Sequence, residues 1–108
     1  MKKTPLVSVL IPTYKSTSSL KMSVESVLSQ TYENYEIIVI DDNNPDTEYR
    51  RRTEAIMDRY IHNPKIMYIK HSKNKNGAAA RNTGFKNSKG ELICLYMEIP
   101  KGQDYWVF

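Results

Sequence analysis

Two adjacent carboxylates, Asp41 and Asp42, follow an unbroken run of branched apolar residues, Ile37-Ile38-Val39-Ile40. A run of that kind wants both faces covered, as in a parallel sheet flanked by helices. Ligands of such sheets bind outside the carboxyl ends of the strands, which aims the acidic pair at a ligand rather than at the core. A second apolar run, Val7-Ser8-Val9-Leu10-Ile11, ends in the same manner at Pro12-Thr13-Tyr14. Two strand ends that bring carboxylates and an aromatic ring to one rim indicate a small-molecule site. Other candidate chemistry is sparse. Cys94 lies in an apolar run and reads as a buried, inert thiol. His62 and His71 have no companions at metal-ligand spacing and are given no role.

The elements that position this rim alternate between strand and helix. Leu6 to Ile11 reads as the first strand and Tyr35 to Ile40 as the second. Ile66 to Ile69 is a short third strand, and Leu92 to Leu95 a fourth. Between the first two, Ser18 or Ser19 caps a helix with apolar positions Leu20, Val24, Val27 and Leu28. Asn44-Pro45-Asp46 breaks the chain, and Asp46 is the expected cap of a helix with Tyr49, Ile56, Met57 and Tyr60 on one face. His62-Asn63-Pro64 ends it. A third helix begins near Gly77 after the polar loop His71 to Asn76, and the three alanines of its first turn allow close packing. Alternation of this kind predicts right-handed crossovers and an α/β fold: a Rossmann-like, doubly wound, mostly parallel sheet of about four strands.

A chain of 108 residues suffices for one small domain with a single core. Its 40% hydrophobic and 26% charged content is ordinary for a globular protein. No apolar run approaches the roughly 18 residues that cross a bilayer, and no signal-peptide pattern opens the chain. A cytoplasmic location is expected. The net charge is +4, with much of the excess in Arg50-Arg51-Arg52 and in Lys70, Lys73 and Lys75. These residues read as a solvated surface, or as a patch favouring phosphates or an anionic membrane face. They are not interleaved with aromatic platforms, and no helix-turn-helix or zinc pattern appears, so nucleic acid is not an expected partner.

Three motifs in this order resemble family 2 glycosyltransferases of the GT-A fold. They are Val7-Ser8-Val9-Leu10-Ile11-Pro12-Thr13-Tyr14; Ser26-Val27-Leu28-Ser29-Gln30-Thr31-Tyr32 with Glu36 to Asp42; and Asn76-Gly77-Ala78-Ala79-Ala80-Arg81-Asn82-Thr83-Gly84 with Gly90-Glu91-Leu92-Ile93. The resemblance covers residues 6 to about 95. It implies transfer of a sugar, with inversion, from a nucleotide-diphosphate sugar to a glycan or lipid-linked acceptor. A UDP-sugar is the expected donor. The implied nucleotide-binding residues are Pro12, Thr13, Tyr14, Asp41, Asp42 and Arg81. Tyr14 would offer its ring to the base, Asp41 would accept the base imide N–H, and Asp42 would support the loop or reach the ribose. Arg81, near a helix N-terminus, would face the phosphates. The plainer alternatives are turn and cap roles for the aspartates, a rim position for Tyr14 and a surface ion pair for Arg81.

The chain departs from the family after Leu95. The family's Asp-x-Asp motif, which holds Mg²⁺ or Mn²⁺ on the diphosphate, aligns with Met97-Glu98-Ile99. A thioether and an alkyl chain cannot ligate a hard cation. No metal site is therefore expected, and no catalytic base can be named, because the family's base and acceptor groove belong to a C-terminal half. The expected division is a nucleotide-sugar-binding unit over 1–95 and an atypical tail over 96–108. The tail's apolar end, Tyr105 to Phe108, is a candidate dock for a second polypeptide supplying the other half. The rival reading is an inactive remnant that only holds nucleotide.

Overall fold

The computed structural model describes residues 4–16, 19–99 and 103–107. One sheet has the strands β1 (Val7–Thr13), β2 (Tyr35–Asp41), β3 (Ile66–Lys70), β4 (Leu92–Ile99) and β5 (Gln103–Val107), in the spatial order β3-β2-β1-β4-β5. The first four pair in parallel, and β5 runs antiparallel to β4. The helices are α1 (Ser19–Leu28), α2 (Glu48–Met57) and α3 (Gly77–Asn87), with a 3₁₀ turn at Asp58–Tyr60.

The alternation along β2 explains the two cores. Ile37 and Val39 point into one cluster with Val9, Ile11, Leu20, Val24, Val27, Met57 and Tyr60. Ile38 and Ile40 point the other way, onto Leu10 and Ala80. All four branched residues are fully buried, as a parallel strand covered on both faces requires. The helices α1 and α2 therefore cover one face and α3 the other. From β1 the chain steps outward to β2 and β3, then crosses back to place β4 on the far side of β1. Connections diverge between β1 and β4, and that divergence opens a crevice at the carboxyl end of β1.

Several local expectations change. Thr47, not Asp46, caps α2: its backbone is extended (φ −114°, ψ 158°) and its hydroxyl accepts from Arg50 N. Tyr49 faces outward, and the inward face of α2 is Arg50, Thr53 and Met57. Of the three alanines opening α3 only Ala80 is buried; the close approach comes one turn later, at Gly84. A Cβ there would lie 2.9 Å from Leu10 Cδ1 and 3.1 Å from Ile40 Cδ1. β4 continues past Leu95 to Ile99 and carries β5 on its outer edge. Ser18, a candidate cap of α1, and the tail's terminal Phe108 lie outside the described residues.

Candidate functional site

The two aspartates at the end of β2 face different surroundings. Asp41 is fully buried. Its Oδ1 accepts from the Asn43 backbone N–H at 3.0 Å and from Asn43 Nδ2 at 2.8 Å. Its Oδ2 accepts from the Tyr68 hydroxyl at 2.5 Å and lies 3.1 Å from Arg50 Nε. Arg50 Nε makes an ion contact there without the alignment of a hydrogen bond, while Nη2 donates to the carbonyls of Asn43 and His71 at 2.5 and 2.6 Å. A carboxylate has about four acceptor positions, and these partners occupy them. Asp41 is thus turned into the fold, with its carboxylate engaged by Asn43, Tyr68 and Arg50.

Asp42 is nearly buried and borders a cavity. Its Oδ1 accepts from Lys75 N at 2.9 Å and lies 2.8 Å from His71 Nδ1. Its Oδ2 accepts from Asn74 Nδ2 at 2.9 Å and from Asn76 N at 3.0 Å. One carboxylate therefore ties down the β3–α3 loop. His71, given no role from sequence, is buried beneath it. Nδ1 pairs with Asp42 Oδ1, and Nε2 meets Thr83 Oγ1 on α3 at 2.8 Å.

The cavity has a volume of about 350 Å³ and is lined by Pro12, Thr13, Tyr14, Asp42, Asn74, Asn76, Gly77 and Ala80. It lies at the carboxyl ends of β1 and β2, against the β3–α3 loop and the first turn of α3. Pro12, Thr13, Tyr14 and Asp42 are thus brought together, and Asp41 is excluded. Tyr14 is 47% exposed, so its ring is available at the rim. The Thr13 hydroxyl is buried with no hydrogen-bond partner among the described residues. Arg81 is exposed one turn into α3, and its Nη1 lies 3.4 Å from where a Cβ on Gly77 would stand. No carboxylate pairs with it among the described residues, whereas Arg51, Arg52 and Lys70 each pair with one.

The loop wall carries strain. Asn76 caps α3 through Oδ1 to Ala79 N, yet has φ 118° and ψ 170°, a region that belongs essentially to glycine. Larger hollows lie elsewhere, and two of them border the sheet. One of about 450 Å³, at the opposite end of the sheet, is lined mainly by apolar side chains such as Val7, Val9, Tyr35 and Cys94. Another borders the β3 edge, between Glu54 and Lys70. Neither gathers polar groups at a parallel-strand carboxyl end beside a helix start, so chemistry favours the smaller cavity over the roomier ones.

Among the described residues no group of three or more His, Cys, Asp or Glu side chains could hold a metal ion. The side chains of Met97, Glu98, Ile99 and Asp104 lie outside the described residues. By their chemistry, one carboxylate between a thioether and an alkyl chain does not fit a hard divalent cation.

A parallel sheet of this order, covered by helices on both faces, is the architecture of GT-A glycosyltransferases. Residues 8–97 match the model of glycosyl transferase family 2, and the chain belongs to that family. It is 38% identical over 102 residues to an Escherichia coli UDP-Glc:α-D-GlcNAc-diphosphoundecaprenol β-1,3-glucosyltransferase, WfaP, covering 94% of this chain and 37% of that one. It is 37% identical over 91 residues to the glycosyltransferase GlyG of Streptococcus pneumoniae, covering 83% and 29% respectively. The chain thus spans about a third of the length of these two relatives. The fold matches a Pyrobaculum calidifontis mannosyltransferase solved with GDP-Man and Mn²⁺, with a TM-score of 0.69 at 20% identity over 87% of this chain and 27% of that one. It also matches Staphylococcus aureus TarS 1–349, with a TM-score of 0.69 at 25% identity, covering 82% and 26%.

Proposed function

We propose that this chain holds the nucleoside-diphosphate part of a UDP-sugar, as the donor side of an inverting transferase that acts on a glycan or lipid-linked acceptor. The observation that carries this reading is the cavity itself. An exposed aromatic ring, a rigid polar loop and the first turn of α3 with an unpaired guanidinium nearby border one space of nucleoside size. Tyr14 takes the base face, Pro12 and Thr13 form the floor, and the loop fixed by Asp42 forms the wall. Arg81 and the helix start favour the diphosphate. Transfer with inversion forms the bond from acceptor oxygen to anomeric carbon as the bond to the diphosphate breaks, and a base takes the hydroxyl proton. No base among the described residues borders the cavity in a position to serve. The acceptor groove and the base are assigned to a further half, in the same or a second polypeptide.

A second reading is a nucleotide-holding unit without transferase activity, which the poor donor set of Met97-Glu98-Ile99 favours. Within either reading the unit spans residues 1–95 and is followed by a tail. We also place the protein in the cytoplasm, at the inner membrane face. The unpaired basic side chains support that placement, as does a relative named for a diphosphoundecaprenol acceptor. No helix is long and apolar enough to cross a membrane among the described residues. Calorimetric titration with UDP tests the shared premise. Tyr14→Ala should weaken binding by about tenfold or more, since base–aromatic stacking contributes about 1–3 kcal/mol. Absence of UDP binding by the folded protein would overturn the reading.

A further inference from the structure

Lys15, next to the cavity residue Tyr14, is held in an unusual backbone state. Its φ is 55°, in the left-handed region that a lysine seldom adopts. The strain is enforced from below: Lys15 N donates to Asn43 Oδ1 at 2.7 Å, and Asn43 Nδ2 is anchored on Asp41 Oδ1 at 2.8 Å. The buried acidic residue at the end of β2 thereby dictates how β1 turns as it leaves the sheet. The result of that turn is specific. Lys15 Nζ stands 5.3 Å from the ring centre of Tyr14 and 6.0 Å from that of Tyr49. Both rings are partly exposed, and no carboxylate pairs with the ammonium among the described residues.

Strain held at a ligand rim by a buried network is a mark of function, because glycine would satisfy the same turn at lower cost. We propose that Lys15 is a phosphate-binding residue at the rim of this cavity, beside Tyr14. The inference rests on the nucleotide reading above and adds to it the group that meets the diphosphate charge. Aromatic walls restrain the ammonium in place of a carboxylate, which leaves its charge available to an anion.

The test compares the wild type with Lys15→Gly and Lys15→Arg, titrated with UDP, uridine and inorganic pyrophosphate, with thermal melting in parallel. Lys15→Gly should melt at the same or a higher temperature, because the strain is gone. It should bind UDP about tenfold more weakly, the loss expected for one charge-assisted contact, and bind uridine unchanged. Lys15→Arg should restore most of the UDP affinity. Weaker pyrophosphate binding by Lys15→Gly would show that the phosphates alone suffice as ligand; pyrophosphate binding that is unchanged while UDP weakens would assign the contact to the nucleotide-bound diphosphate. Equal UDP affinity in wild type and Lys15→Gly would overturn the inference and leave the nucleotide reading standing. Equal losses for uridine and UDP would also overturn it, since Lys15 would then act only on the base through Tyr14. A wild type that binds no UDP would instead overturn the nucleotide reading and this inference with it.

Discussion

Asp41 and Arg50 form a buried ion pair at the center of the strand-end network. Removing one partner of such a pair leaves an uncompensated charge. Asp41→Asn should therefore lower stability by about 3–5 kcal/mol in urea unfolding, and Arg50→Met combined with it should recover part of that loss. A loss near zero would contradict the burial of Asp41. At Asn76 two effects separate cleanly. Asn76→Gly relieves the positive φ and sacrifices little capping, so it should be neutral or stabilising. Asn76→Ala keeps the strain and loses the cap bond to Ala79, costing about 1 kcal/mol. The reverse order in chemical denaturation would argue against the observed loop geometry. The carboxylate pair was legible in the sequence because it follows a β-branched run. Which of the two turns inward was not, because that depends on partners from β3, α2 and the loop. Arg50 was hidden in a triple-arginine run, although its spacing to Thr53 and Met57 is helical and marks it as inward. His71 carried no sequence signal, since its partners Asp42 and Thr83 lie far away along the chain.

At the element scale, strand identity followed from apolar runs, and each strand expected is present to within a few residues. The tail differs. Its residues have no clean period, yet β4 extends to Ile99 because β5 pairs with it backbone to backbone, an interaction that side-chain patterning does not encode. The close seat of α3 on the sheet rests on Gly84. Gly84→Ala should cost about 1–3 kcal/mol by forcing Leu10 and Ile40 aside, despite alanine's better helix propensity. A stabilised variant would show that α3 can shift outward freely. Alkaline pH probes the covering of β2 and β3. Burial, with Glu25 accepting its hydrogen bond, pushes Tyr60 up to about 12, and burial with Asp41 likewise raises Tyr68. Both hydroxyls keep their protons in the folded state beyond pH 10, where unfolded tyrosines lose them. Their stabilisation is thus complete below about pH 10 and is lost as pH rises through the folded values. Urea midpoints should fall from pH 9 to 11, and less steeply in Tyr60→Phe. An unchanged slope in that variant would contradict the assignment.

At the scale of the whole molecule, the sheet has two dissimilar ends. The carboxyl end gathers Pro12, Thr13, Tyr14, Asp42, Asn74 and Asn76 around one cavity, with Lys15 beside Tyr14 and Arg81 beside Gly77, whereas the amino end holds a roomier apolar hollow. The strand order and membership of glycosyl transferase family 2 support the first of these as the proposed ligand site. The most direct test is a backbone amide shift titration of the isotope-labelled chain with UDP. Saturable shifts confined to Tyr14–Lys15, Asp42, Asn74–Gly77 and Arg81 are expected. Shifts centred instead on Val7, Tyr35 and Cys94, or no saturable shifts from a folded chain, would contradict the proposed site.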